Sequence, residues 1–229
     1  MQKIIAFLIL SGVKTFAHVF YRGNFKWIGD IPAEPWKDTR LFVFMNHTSL
    51  FEPLFIRIFP YSFIWRLAEH MNVPGADITL NRPLVGRFWK LMMPNIASVT
   101  RKKDSSWEQY LNSIKPDSII MIAAEGRMKR PNGLDKFGKP MSIRGGAADI
   151  IENLHEGKMI LCLSGGLHHI QSPGQFVPKI FKEISMNLIH LDIEEYKKKF
   201  PGNSRERKLA IVQDLQKNLE INCPPPSSK

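Results

Sequence analysis

Three short runs of unbroken apolar residues limit how this chain can fold. They are Leu41–Met45, Ile119–Ala124 behind Ser118, and Met159–Leu163. Each is too short for a core helix and reads as a buried strand. Other segments carry helical spacing instead. Trp107–Ile114 does, ahead of a Lys115-Pro116-Asp117 turn, as do Gly145–His155, ending at Gly157, and Arg205–Leu219, with Leu209, Val212, Leu215 and Leu219 on one stripe. A first strand ends near Trp27–Gly29, Phe59–Arg66 reads as a turn followed by a strand, and Val177–Ile193 holds one or two strands. The mixture predicts an α/β fold. The expectation is a single domain with a central mixed, largely parallel sheet flanked by helices, plus an N-terminal apolar membrane-associating helix. At 229 residues one domain is the simplest division. Its expected bounds are residues 25–221, behind an N-terminal segment 1–24 and before a disordered tail 222–229.

Ligands in open α/β sheets collect beyond the strand ends, so the residues after each run matter most. Asn46-His47-Thr48-Ser49-Leu50-Phe51-Glu52-Pro53 follows the first. Leu54–Ile56 reads as helix, which lets Glu52 fold back within one turn onto the His47 ring. A carboxylate on one ring nitrogen fixes the tautomer and steadies the imidazolium, leaving the other nitrogen to accept a proton. No nucleophile completes a hydrolase triad. Ser49 lacks a Gly-x-Ser-x-Gly setting, and Thr48 and Ser49 suit helix capping. Cys162 lies in a strand pattern and Cys223 in a proline-rich tail. A base without an enzymic nucleophile suits direct transfer to a bound hydroxyl. The competing reading is a structural His–Glu pair.

The second run leads into Glu125-Gly126-Arg127-Met128-Lys129-Arg130. Gly126 permits a tight turn. Arg127, Lys129 and Arg130 place three cations at a strand end, where an arginine fork suits phosphate, and Glu125 sits beside them to orient them. The bland alternative is a solvated basic loop.

Taken in order, these segments resemble the glycerolipid acyltransferases of the lysophosphatidic-acid acyltransferase type. Asn46-His47-x-Ser49-x-x-Glu52 is similar to that family's first motif, His-x4-Asp, with Glu52 in place of the aspartate. Ala97–Arg101 resembles the second motif, which ends in an arginine. Glu125-Gly126-Arg127 resembles the third, Phe-Pro-Glu-Gly-Thr-Arg. Ile143-Arg144-Gly145-Gly146-Ala147-Ala148 resembles the basic-x-Gly-Ala segment behind it. The likeness spans roughly residues 40–165. The chain departs from the pattern at Ala123-Ala124, where the family has Phe-Pro, at Arg127-Met128, where it has Thr-Arg, and in lacking the fourth-motif proline near Met159–Leu163.

The resemblance implies a mechanism and a set of partners. His47 is the general base and Glu52 its orienting carboxylate. The acyl group comes from acyl-CoA or acyl-carrier protein, as a donor substrate rather than a cofactor, and passes to the hydroxyl of a lysophospholipid or related lipid acceptor. No cofactor is implied. Arg101 and Arg127, with Lys129 and Arg130 in reserve, are the candidate phosphate-binding residues, alongside Glu125 and Gly126.

Composition agrees with an anionic partner. Lys and Arg number 32 against 21 Asp and Glu, a net charge of +11, which favours anionic bilayers, CoA phosphates, acidic carrier protein or nucleic acid. No zinc-finger, RRM or helix-turn-helix pattern appears, which sets nucleic acid behind the others. Residues 3–20 are apolar but interrupted by Lys14 and His18, which suits a helix lying in one leaflet better than a span. A signal peptide and a buried core helix are its rivals. Arg82–Met93 reads as a second basic, apolar helix, suited either to an interface or, through Phe88, Leu91 and Met92, to packing in the core. The expected location is a membrane at its cytoplasmic face. The function classes that compete are a catalytically silent relative binding lipid or acyl carrier, and a basic nucleic-acid-binding protein. His168-His169 lacks metal-ligand spacing and reads as a loop pair.

Overall fold

The structure, a computed structural model, describes residues 1–226 apart from 101, 103, 173 and 176. The elements run in the order α1 (Gln2–Phe20), β1 (Tyr21–Trp27), β2 (Thr39–Met45), a 3-10 helix η1 (Glu52–Ile58), α2 (Tyr61–His70), β3 (Met71–Ala76), α3 (Asp77–Leu80), α4 (Pro83–Met92), β4 (Asn95–Val99), α5 (Ser106–Asn112), β5 (Ile119–Ala123), α6 (Gly145–Asn153), β6 (Lys158–Ser164), β7 (Lys182–Asp192), α7 (Ile193–Lys198) and α8 (Ser204–Asn222). The seven strands form one sheet in the order β1-β7-β6-β2-β5-β3-β4. Every pairing is parallel except β6 with β7. The predicted α/β class, with a mixed and mostly parallel sheet, is what the chain adopts.

The three apolar runs are the central strands β2, β5 and β6, and their lack of alternation has a physical cause. Side chains of a strand point alternately to its two faces, and both faces of this sheet are covered. Phe42 of β2 packs with Phe55, Phe59, Phe63 and Leu67 under η1 and α2. Leu41, Val43 and Met45 pack with Ala147, Ile150, Ile151, Ile211 and Leu215 under α6 and α8. A strand buried on both sides has no polar side to show.

One segment differs from expectation. Residues Tyr61–His70 form helix α2, not a strand. Its aromatic residues mimic a strand's alternation, but Phe63, Ile64, Leu67 and Ala68 are buried at helical spacing. Packing on α1 and the fixed φ of Pro60 at the N-cap favour the helix. Strands β3 and β4, which line the far edge, escape a reading by periodicity because Asn72, Pro74 and Gly75 interrupt the one and Asn95 and Ser98 the other.

Helix α1 lies along the domain. Ala6, Leu10, Lys14 and Ala17 form its buried stripe. Lys14 Nζ donates to the carbonyls of Arg57 (2.8 Å) and Phe59 (2.9 Å), and Arg57 donates back to the carbonyl of Ala17 (2.9 Å). The two cations therefore staple α1 to η1, which begins at Glu52.

Candidate active site

The carboxyl ends of β2, β5 and β6 lie side by side because the three strands are parallel neighbours. The chain leaves β2 at Met45 and turns at Asn46, whose φ of 63° is left-handed. Asparagine tolerates that conformation better than most residues, and here it is gripped on three sides. Its amide donates to Glu125 Oε1 (2.6 Å), its Nδ2 donates to the Ser164 carbonyl (2.8 Å), and its Oδ1 accepts from Lys129 Nζ (3.3 Å). The turn aims His47 back across the strand ends.

His47 Nδ1 lies 2.6 Å from Glu52 Oε2. The other carboxylate oxygen, Oε1, accepts from the Thr48 amide at 2.8 Å. Glu52 opens η1 with Pro53 in the first turn, where a missing N–H costs nothing. Ser49 Oγ accepts from the Phe51 amide (3.2 Å) and donates to Gln171 (2.7 Å), and Thr48 Oγ1 accepts from the Leu167 amide (2.8 Å). Ser49 is fully buried by these contacts, so it caps and anchors. With Nδ1–H donating to the carboxylate, the neutral ring leaves its Nε2 lone pair for a proton.

Electrostatics tune His47 and Glu125. Burial disfavours the protonated His47 ring, but the Glu52 charge and hydrogen bond, with help from the Glu125 charge, outweigh it and raise the pKa. Glu125 is 2% exposed. Burial pushes its carboxyl up, opposed by its backbone donors and by His47. Its Oε2 has no hydrogen-bond partner among the described residues. Neither thiol is an activated nucleophile. Burial pushes Cys162 far up, and burial followed by the Glu125 charge pushes Cys223 up to about 12.

His47 and Glu52 line a cavity of about 470 Å³. Its walls are apolar, with Leu10 of α1, Phe55 of η1, Met71 of β3 and Trp89 and Met92 of α4 among them. Arg127, Arg144, Gly126 and Trp107 line the same cavity. Few polar groups in an apolar hollow is the usual make-up of a small-molecule site.

The basic cluster read from the sequence divides. Arg127 lines the cavity, but its guanidinium pairs with the buried carboxylate of Asp135 and lies 4.9 Å from the centre of the Phe137 ring. Asp135 is held at about 2 by the Lys139 amide, against its desolvation, with Arg127 and the Phe137 amide adding to the effect. Lys129 turns to Asn46, and its amide donates to the His47 carbonyl (2.7 Å). Arg130 is exposed and does not line the cavity. Gly126 lines it with a φ of 64°, as a tight turn requires. Glu125 accepts from the Asn46 amide, and among the described residues it forms no ion pair with the cations. Arg101 lies outside the described residues.

Sequence reasoning gave no role to Ser164, whose carbonyl takes Asn46 Nδ2, or to Gln171 behind Ser49. The Gly165-Gly166 pair after the third apolar run was the available signal, since Gly166, at a φ of 84°, brings the backbone against Asn46 and Thr48. His168 and His169 donate from Nε2 to the carbonyls of Lys129 (2.8 Å) and Glu183 (2.7 Å). Among the described residues no group of three His, Cys, Asp or Glu could hold a metal ion.

No protein-family model and no curated protein matches the chain. Among solved structures, the crystal structure of the 1-acyl-sn-glycerophosphate (LPA) acyltransferase PlsC from Thermotoga maritima is similar, with a TM-score of 0.54 and 15% sequence identity over 93% of this chain and 78% of that one. At that identity the likeness is one of fold: this chain shares the α/β architecture of that acyltransferase.

Proposed function

We propose that this protein is an O-acyltransferase that moves a fatty acyl group from a thioester donor, acyl-CoA or acyl-carrier protein, to the hydroxyl of a lysophospholipid or related lipid. One observation carries the reading: a histidine held by a carboxylate at 2.6 Å lines an apolar cavity of about 470 Å³. In this mechanism His47 Nε2 takes the proton as the acceptor oxygen forms its bond to the thioester carbonyl carbon. The tetrahedral intermediate then expels the thiolate, which recovers the proton from the imidazolium. Glu52 never leaves the ring and stabilises the charged form. Positioned general-base help of this kind contributes on the order of a hundred- to ten-thousand-fold. The cavity takes the acyl chain, and the high pKa values of both thiols support direct transfer over an acyl-enzyme.

The reading includes a membrane at whose surface the protein works. The outward residues of α1 include Ile4, Leu8, Phe16 and Val19, with Leu8 62% exposed, and no exposed residue of that helix is Asp, Glu, Lys or Arg. A surface helix in water carries charge on its outer face. Helix α4, packed beside it, exposes Leu84, Phe88 and Leu91 next to Arg87 and Lys90. Inserting such side chains into lipid gains roughly 1.5–3 kcal/mol each when burial is complete. The basic balance, +11 overall, favours an anionic leaflet.

The test is transfer of a labelled acyl group from acyl-CoA or acyl-carrier protein to a panel of lysolipids by the purified protein. Wild type should form product and His47→Ala should not. A folded His47→Ala variant of undiminished rate would eliminate the mechanism.

A further inference from the structure

Two arginines line the cavity that His47 lines, and their guanidinium groups differ in what they already hold. Arg127 is engaged by Asp135, whose side chain is 1% exposed, and rests on Phe137. Arg144 also lines the cavity, yet its guanidinium has no hydrogen-bond, ion-pair or ring partner among the described residues. Its backbone, by contrast, is fixed. The Arg144 amide donates to the Ala124 carbonyl (2.9 Å), and the Ala124 amide donates to the Phe44 carbonyl (2.9 Å). That ladder ties Arg144 across β5 to the end of β2, three residues before His47. The side-chain stem crosses the Gly126 turn, where Arg144 Cγ lies 3.8 Å from the position a Cβ would take. Arg144 is thus an exposed cation on a fixed backbone, with an uncommitted fork, among the residues that line the cavity.

We propose that Arg144, rather than Arg127, is the residue that binds a phosphate group at this site. The inference rests on the acyltransferase reading for its ligand but not for its geometry. Arg127 instead shapes the loop it shares with Asp135. An unpaired planar fork suits a phosphate monoester, since two parallel N–H groups meet two oxygens. Such a group reaches the cavity from two sources, the headgroup of a phosphate-bearing lysolipid or the phosphates of the CoA carrier. For an arginine whose guanidinium has no hydrogen-bond or ion-pair partner among the described residues, loss of the charge removes binding without removing a structural bond.

Binding is read from the fluorescence of Trp89 and Trp107, which line the cavity. The probes are lysophosphatidic acid against monoacylglycerol of equal chain length, and acyl-CoA against the matching acyl-pantetheine. Wild type should prefer the phosphate-bearing member of at least one pair, and that pair identifies the source. Arg144→Gln should lose the preference by about tenfold or more, which is about 1.4 kcal/mol. Arg127→Gln, if circular dichroism finds it folded, should keep it. A wild type without preference in either pair overturns the proposal, and so does an Arg144→Gln variant that retains the full preference. Arg144→Lys separates charge from fork: partial recovery supports a bidentate contact, and full recovery would overturn the bidentate contact in favour of charge alone. Acyl transfer measured on the same proteins is independent of these arms. Absence of transfer with every acceptor removes the acyltransferase reading while the binding preference still decides Arg144.

Discussion

Glu52 grips two consecutive residues at once, with Oε2 on the His47 ring at 2.6 Å and Oε1 on the Thr48 amide at 2.8 Å. The second contact matters as much as the first. A carboxylate anchored to backbone cannot swing away, so the imidazole has one orientation. Glu52 itself starts η1, so the carboxylate is carried on the first residue of that helix.

Glu52→Gln should lower turnover by ten- to a thousandfold while leaving the fold intact, because the amide keeps the size and loses the charge. The pH–rate profile gives a sharper check. Burial lowers the His47 pKa, but Glu52 more than reverses it, so the acid limb of wild type should lie above the ordinary histidine value near 6.5. Without the charge the limb should move to lower pH even as the plateau falls. An unmoved limb would mean the pair does not govern the ring. Stability has the opposite sign. The pair stabilises the fold fully below the unfolded-state value, and that contribution is lost as pH rises through the raised value.

Glu125→Ala removes the acceptor of the Asn46 amide and leaves a left-handed residue unsupported. Stability should fall by about 1–3 kcal/mol, the range for leaving a buried donor unpaired. Activity should fall by more than that loss explains, since the turn aims His47. Urea denaturation beside initial rates separates the two. Normal turnover in a folded variant would show that the turn holds without its carboxylate.

Asp135→Asn tests the loop beneath Arg127. The Asp135 carboxyl is held at about 2, first by the Lys139 amide and also by Arg127. A depressed pKa contributes stability above the unfolded value near 3.9, lost as pH falls toward about 2. Wild type should therefore be more stable than the variant at neutral pH, and the gap should close between about pH 4 and pH 2. Thermal melts across that window provide the comparison. A gap that persists at the acid end would assign the effect to packing.

Leu8→Glu places a charge on the outer face of α1, where Leu8 is 62% exposed and its loss disturbs no core contact. Sedimentation with vesicles containing phosphatidylglycerol should show weakened binding, with the melting temperature unchanged. Equal binding by the variant would remove α1 from the membrane contact.

Reading the sequence located the central strands and the His47–Glu52 pair because both are local. Unbroken apolar runs report burial on two faces, and a five-residue separation is short enough for one turn to close. The α2 helix was misread for the same reason. Tyr61, Phe63 and Trp65 alternate locally, and the packing on α1 that decides for helix comes from residues forty or more positions away.

The chain alone placed an imidazole and a carboxylate past a buried strand, near enough in sequence for one turn to bring them together. Only the tertiary structure decided which partners the cations take. Arg127, Lys129 and Arg130 look equivalent in a row, but Asp135 takes the first, Asn46 the second and solvent the third. Arg144 reaches the cavity with its fork uncommitted. A charge is defined by its partners, and those are chosen in space.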